Sequence, residues 1–146
     1  MPTKYDDASW HFDGDFPEES PIEYGGTHIA LFLKWCLQKG WASDELLELA
    51  SENVQKVIDG MLSATEFLFE FCDGKLIDTD LSPQGNEFAR DYYGNRGLYF
   101  GDYVELFGEL MYSKPESDHD FARLSEMMEQ RFLSGNLTKK PFWKFW

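Results

Sequence analysis

Nine consecutive residues, Ile29-Ala30-Leu31-Phe32-Leu33-Lys34-Trp35-Cys36-Leu37, carry eight apolar side chains and one lysine. A helix built from them is apolar nearly all round, so other elements must cover it on every side. The run is too short for a membrane span, which needs about 18–20 apolar residues. Gly25-Gly26 precede it and Gly40 follows it. The spacing predicts a central helix over residues 27–39, with Thr27 as its N-cap and Gly40 as its stop.

The cover is legible in the rest of the chain. Leu46, Leu47, Ala50, Val54, Val57 and Ile58 recur at helical spacing behind Ser43, which predicts a helix over 44–59. Ser63-x-x-Glu66 has the form of a capping box and opens a helix through Phe67, Leu68 and Phe71 that stops at Asp73-Gly74. Ser82-Pro83 opens a fourth helix, with Pro at the first helical position and Phe88, Ala89, Tyr92 and Tyr93 as its buried stripe. Residues 99–111 and 118–133 give two more, the last behind Ser117-x-x-Asp120. Residues 75–79 read as one short strand. The expected fold is mainly α: a single domain of about six helices over residues 1–146, with at most a short β-hairpin or a lone strand.

The two ends differ from this middle. Turn signals crowd residues 1–26, yet Tyr5, Trp10, Phe12, Phe16, Ile22 and Tyr24 are interleaved among seven acids. That mixture predicts an irregular segment wrapped on the domain, rings in and acids out. Residues 134–146 form a basic, aromatic tail ending Phe142-Trp143-Lys144-Phe145-Trp146. It is positioned to fold back on an acidic face or to remain a solvated terminus.

Charge narrows the function. With 27 acids against 13 basic residues, the net charge is −14. Such a field repels nucleic acid and anionic membranes and attracts basic proteins. Cys36 and Cys72 lie in apolar stretches and read as buried, reduced thiols, and the amino terminus lacks the apolar core of a signal peptide, so the expected location is the cytoplasm.

No motif assigns a chemistry. His11, His28 and His119 lack the spacing of metal ligands, so no metal and no cofactor is assigned, and no catalytic residue is named. His11 and His28 are placed to hydrogen-bond Asp6 or Asp7, a structural role favoured here over a ligand site. Tyr5 and Trp10 are expected to pin the first segment to the central helix. No serine stands in a nucleophile elbow and neither cysteine in a reactive setting. Gly25-Gly26 before a helix is a tight turn, with nothing else of a phosphate loop after it. Asp102, Glu105 and Glu109 fall at i, i+3 and i+7, one acidic stripe on a helix.

Tyr5-Asp6-Asp7-Ala8-Ser9-Trp10-His11, Gly26-Thr27-His28-Ile29 and Phe32-Leu33-x-Trp35-Cys36 resemble a widespread uncharacterised bacterial domain family. Gly85-Asn86-x-Phe88, Tyr92-Tyr93 and Tyr99-x-x-Asp102-Tyr103 fit the same pattern. The resemblance runs from about residue 4 to about residue 132, and the tryptophan-rich tail departs from it. By type, small acidic domains like this one are similar to the immunity proteins of bacterial toxin systems.

The resulting expectation is a protein-binding domain and not an enzyme: an immunity- or antitoxin-like protein that neutralises a basic toxin by occluding its cationic cleft. Asp6, Asp7, Asp13, Asp15, Glu18, Glu19, Asp102, Glu105 and Glu109 are its expected partner-binding residues. The alternatives are a small metal- or ligand-binding enzyme around Asp6, Asp7, His11 and His28, or a structural adaptor that self-associates through its tail.

Overall fold

A computed structural model describes residues 3–11, 22–94, 96–108 and 114–139; for residues 22 and 23 only the backbone is considered. Among these, strand β1 (Lys4–Asp7) leads through short 3-10 turns into six helices. These are α1 (Thr27–Gln38), α2 (Asp44–Ile58), α3 (Ala64–Phe71), α4 (Pro83–Tyr92), α5 (Tyr99–Phe107) and α6 (Asp118–Ser134), with strand β2 (Lys75–Ile77) between α3 and α4. The fold is mainly α with one small antiparallel sheet, as the periodicity predicts.

Helix α1 is the centre. Residues 27–37 are all buried, and the helix packs against α2, α3 and α6. Even Lys34 is covered, its ammonium 4.5 Å from the centre of the Phe121 ring on α6 and 3.9 Å from Asp118. Phe32 on α1 meets Tyr93 and Tyr99 edge to face, which brings α4 and α5 onto the same core. Among the described residues, no helix is long and apolar enough to cross a membrane.

The serine caps work as their spacing predicts. Ser43, Ser63, Ser82 and Ser117 accept from the N–H groups of Leu46, Glu66, Gly85 and Asp120. Thr27 does not. Gly26 holds the cap position of α1, because a 3-10 turn runs straight into the helix. Thr27 instead donates to the carbonyl of Lys114, tying α1 to the segment before α6.

The first segment is more regular than its composition predicts. Residues 4–7 pair antiparallel with 75–77, so the strand expected to stand alone has its partner seventy residues upstream. The register is irregular between Lys4 and Asp6. Both Asp6 and Asp7 are then buried, where strict strand alternation would expose one of them. Residues 12–21, 109–113 and 140–146, including the aromatic tail, lie outside the described residues.

Asp80, in the turn after β2, is buried and accepts from the Ile77 N–H. Burial, helped by neighbouring Asp78, pushes its carboxyl up to about 6 despite that hydrogen bond. A raised carboxyl favours the fold only while protonated. Its contribution is full below the unfolded value of about 4 and is lost as pH rises through about 6. Asp80→Asn keeps an acceptor for Ile77 and removes the charge. It is expected to stabilise the protein by about 2 kcal/mol at pH 8 and by almost nothing at pH 4. Denaturant unfolding at the two pH values checks this.

Candidate metal and ligand site

The site begins with Asp7, not at its centre. Asp7 Oδ1 accepts from the backbone N–H and hydroxyl of Ser9, at 2.9 and 2.8 Å, and its Oδ2 lies 3.0 Å from Lys4 Nζ. This side-chain turn starts the 3-10 turn Ala8–His11. The Ala8 N–H bonds the carbonyl of Gly74 at the foot of β2. The chain therefore doubles back within five residues, and His11 returns to Asp6.

His28 reaches the same carboxylate from the first turn of α1. Asp6 Oδ1 lies 2.8 Å from His11 Nε2, and Oδ2 lies 3.0 Å from His28 Nε2. The two Nε2 atoms are 3.2 Å apart, with the rings nearly perpendicular. Tyr93 at the end of α4 donates its hydroxyl to Asp6 Oδ2, and the Asp7 N–H donates to Oδ1. Asp6 is 2% exposed and His28 0%; only His11 has an edge toward solvent.

Burial would raise the Asp6 carboxyl, but the hydrogen bonds from both histidines and Tyr93 outweigh it and hold it well below the usual range. Burial pushes His28 below the usual histidine value, with Asp6 pulling the other way. Both shifts favour an ionised carboxylate beside a neutral His28. That is the protonation state in which these groups ligate metal.

A cavity of about 560 Å³ adjoins the cluster. Asp6, His11 and Tyr93 form part of its wall, with Trp10, Phe100 and Arg90. Trp10 is 56% exposed, so it does not pin the segment as expected. Tyr5 does so through Asn86 on α4, at 2.7 Å.

The acids expected to meet a partner are divided by the fold. Asp6 and Asp7 are buried in the turn just described. Asp102 is 5% exposed and faces inward, where both its oxygens sit 2.8 Å from the Arg131 guanidinium and Tyr92 donates to it at 2.6 Å. The acidic stripe on α5 is therefore not one surface: Arg131 on α6 turns Asp102 inward, and Glu105 stays exposed. Asp13, Asp15, Glu18, Glu19 and Glu109 lie outside the described residues. Sequence reasoning missed Tyr93, read as core only, and the cavity cations. Its one usable signal was the Asp-His pairing already noted.

Fold and site together define a small helical domain whose N-terminal strand closes a two-histidine, one-carboxylate cluster against the core. The chain belongs to the family described as a domain of unknown function, DUF7832, matched over residues 4–117, a span that holds Asp6, His11, His28 and Tyr93. No curated protein and no solved structure matches it.

Proposed function

We propose that this domain binds a divalent transition-metal ion through Asp6, His11 and His28 and presents the ion to the adjoining cavity. The observation that carries the reading is the convergence of three donor groups. Two ligands held 2.0–2.1 Å from one ion stand about 2.9–3.4 Å apart at octahedral to tetrahedral angles. The Nε2 atoms stand 3.2 Å apart, Asp6 Oδ1 lies 2.8 Å from His11 and Oδ2 3.0 Å from His28, close to that spacing with both carboxylate oxygens turned to the ion, and one ligand atom from each residue lies within 4.8 Å of the other two. Hydrogen bonding alone leaves a conflict. If both Nε2 atoms carry protons for Asp6, two N–H groups face each other at 3.2 Å; if one does not, its lone pair faces the carboxylate. A cation accepts from all three at once. Two imidazoles and one carboxylate suit zinc, iron, cobalt or manganese better than calcium or magnesium. Three protein ligands leave positions open, the pattern of a working site rather than a closed structural one.

The test is thermal unfolding of chelator-treated protein with cobalt(II), zinc(II) or manganese(II). At a hundredfold excess over Kd, binding adds about 2.7 kcal/mol, or roughly 5–10 °C in Tm. His11→Ala, at the least buried ligand, should fold and lose the shift. No shift with any of the three ions, and no visible absorption band with cobalt(II), would sink the reading.

A second reading retains the acidic docking role, that of an immunity-like protein occluding a basic toxin. It is supported by the outer face of α2, where Asp44, Glu45, Glu48 and Glu52 are exposed around Leu49, itself 66% exposed. Charges that steer and an apolar anchor are the two ingredients of such interfaces. Reversing Glu45, Glu48 and Glu52 to lysine should abolish salt-sensitive binding of a basic partner protein; unaltered binding removes α2 from that role.

A further inference from the structure

We infer that the cavity beside Asp6, His11 and His28 takes a small ligand bearing an oxyanion group, phosphate or carboxylate, held between the metal face and the side chains of Arg90 and Lys139. The inference rests on the metal reading above and adds the ligand class.

Local charge is the first ground. The chain as a whole carries −14, yet the described cavity wall holds Lys4, Arg90 and Lys139 against the single acid Asp6. Asp6 is itself engaged by two histidines and a tyrosine. Among the other described cations, Lys34, Lys39, Lys75, Lys114 and Arg131 each lie within 4.0 Å of an acid and Lys4 is held by Asp7, whereas Lys56, Arg96 and Arg123 form no such ion pair with a described acid. Arg90 and Lys139 have no acidic partner among the described residues. Two of the cations without an ion pair share this one wall with Lys4, and such a local excess of positive charge, in a chain with two acids for every base, draws in an anion. The field of the whole molecule opposes a long polyanion and admits a small one.

Construction is the second ground. Lys139 is not placed by a loose end. Its N–H bonds the Arg96 carbonyl at 2.8 Å, and the Leu98 N–H bonds the Leu137 carbonyl at 3.0 Å. This short antiparallel pairing, with Gly97 opposite Thr138, lays the stretch after α6 along the cavity rim. Gly97 is required there, since a Cβ would stand 1.8 Å from the Tyr92 carbonyl oxygen. α5 starts at the same wall without a side-chain cap, so the N–H groups of its first turn add partial positive charge. Phe100 and the exposed Trp10 supply apolar wall for the body of the ligand. The volume, about 560 Å³, is that of a small-molecule site.

Gly101 provides a clean probe. It lines the cavity from within α5, and a Cβ there meets nothing within 4 Å. Gly101→Leu therefore fills the cavity without displacing backbone. The experiment is titration of the cobalt(II)-loaded full chain with inorganic phosphate and, separately, with acetate, followed by the visible cobalt band. The expected result is a saturable change with at least one anion. The Arg90→Gln/Lys139→Gln double variant should weaken it about tenfold or more, and Gly101→Leu should abolish it, both with cobalt affinity unchanged. A band that responds to neither anion overturns the inference and leaves the metal reading intact. So does a response indifferent to all three substitutions, because the anion then reads the metal alone. Failure of cobalt(II) to bind removes the metal reading. The metal-free protein is then titrated with phosphate and acetate by calorimetry: binding lost in the double variant upholds the cation-lined site, and no binding overturns it as well.

Discussion

Asp6→Ala is expected to lower the unfolding free energy by about 4 kcal/mol in the presence of chelator. The carboxylate is the one acceptor shared by the Tyr93 hydroxyl, His28 Nε2, His11 Nε2 and the Asp7 N–H. Tyr93 and His28 are fully buried, and depriving each of a charged acceptor leaves a desolvated donor worth about 1–3 kcal/mol. Repacking offers little relief, because Ala opens a gap between a strand and two helices. The pH dependence carries a second signature. Asp6 has a depressed carboxyl, so its stabilisation is present above the unfolded value of about 4 and is lost as pH falls below it. His28 is depressed by burial, so unfolding takes up a proton below about 6.5, and stability falls there by at most about 1.4 kcal/mol per pH unit. On acidification the His28 loss below about 6.5 therefore runs against the gain from Asp80, the Asp6 loss follows below about 4, and Asp6→Ala should diminish that lower stage, to which Asp7 also contributes. Denaturant unfolding between pH 8 and pH 3 reads both. A variant within 1 kcal/mol of wild type at pH 8 would show that the cluster does not hold the N-terminal strand.

Asp102→Ala should cost about 3–4 kcal/mol, although its position in the sequence suggests a surface charge. Its removal strands the Arg131 guanidinium, whose side chain is about a quarter exposed, and deprives the buried Tyr92 hydroxyl of its acceptor. Glu105→Ala, three residues on and exposed, is the internal control and should stay within about 0.5 kcal/mol. Replacing all three together, as Asp102→Leu with Arg131→Met and Tyr92→Phe, should recover most of the loss, since no buried charge is then left alone. If Asp102→Ala is as mild as Glu105→Ala, the ion pair contributes nothing and Asp102 belongs to the surface after all.

The helices were legible because each announces itself locally. A serine three residues before an amide it can cap, and an apolar step of three or four, are properties of one short window. α1 was plainer still, since eight apolar residues in nine leave no polar face to solvate. β1 was not legible. It is four residues long, two of them aspartates, and its partner lies about seventy residues away. The caps misled once, at Thr27, where the 3-10 turn ahead of it fixes Gly26 as the boundary.

The site was half legible. Asp6, Asp7, His11 and His28 stood out together, and their hydrogen bonding was foreseen. Separations of 5 and 17 residues match no ligand motif, so nothing local said that both Nε2 atoms would meet one carboxylate. Closure is tertiary, set by the turn that Asp7 caps and by the start of α1. The fate of Asp102 was hidden for the same reason, its counter-ion being 29 residues away on another helix. Spacing along a helix tells which residues share a face and not what faces them.

The pairing of the first strand with β2 also fixes an order of events. Asp6 leaves the ribosome early, but its hydroxyl partner Tyr93 follows 87 residues later, on the order of ten seconds of synthesis. Until α4 arrives, the amino-terminal stretch has no complete place to dock, and Lys139 comes later again. Asp6 is thus made well before it is settled, and the carboxylate's cluster closes only once α4 has been synthesised.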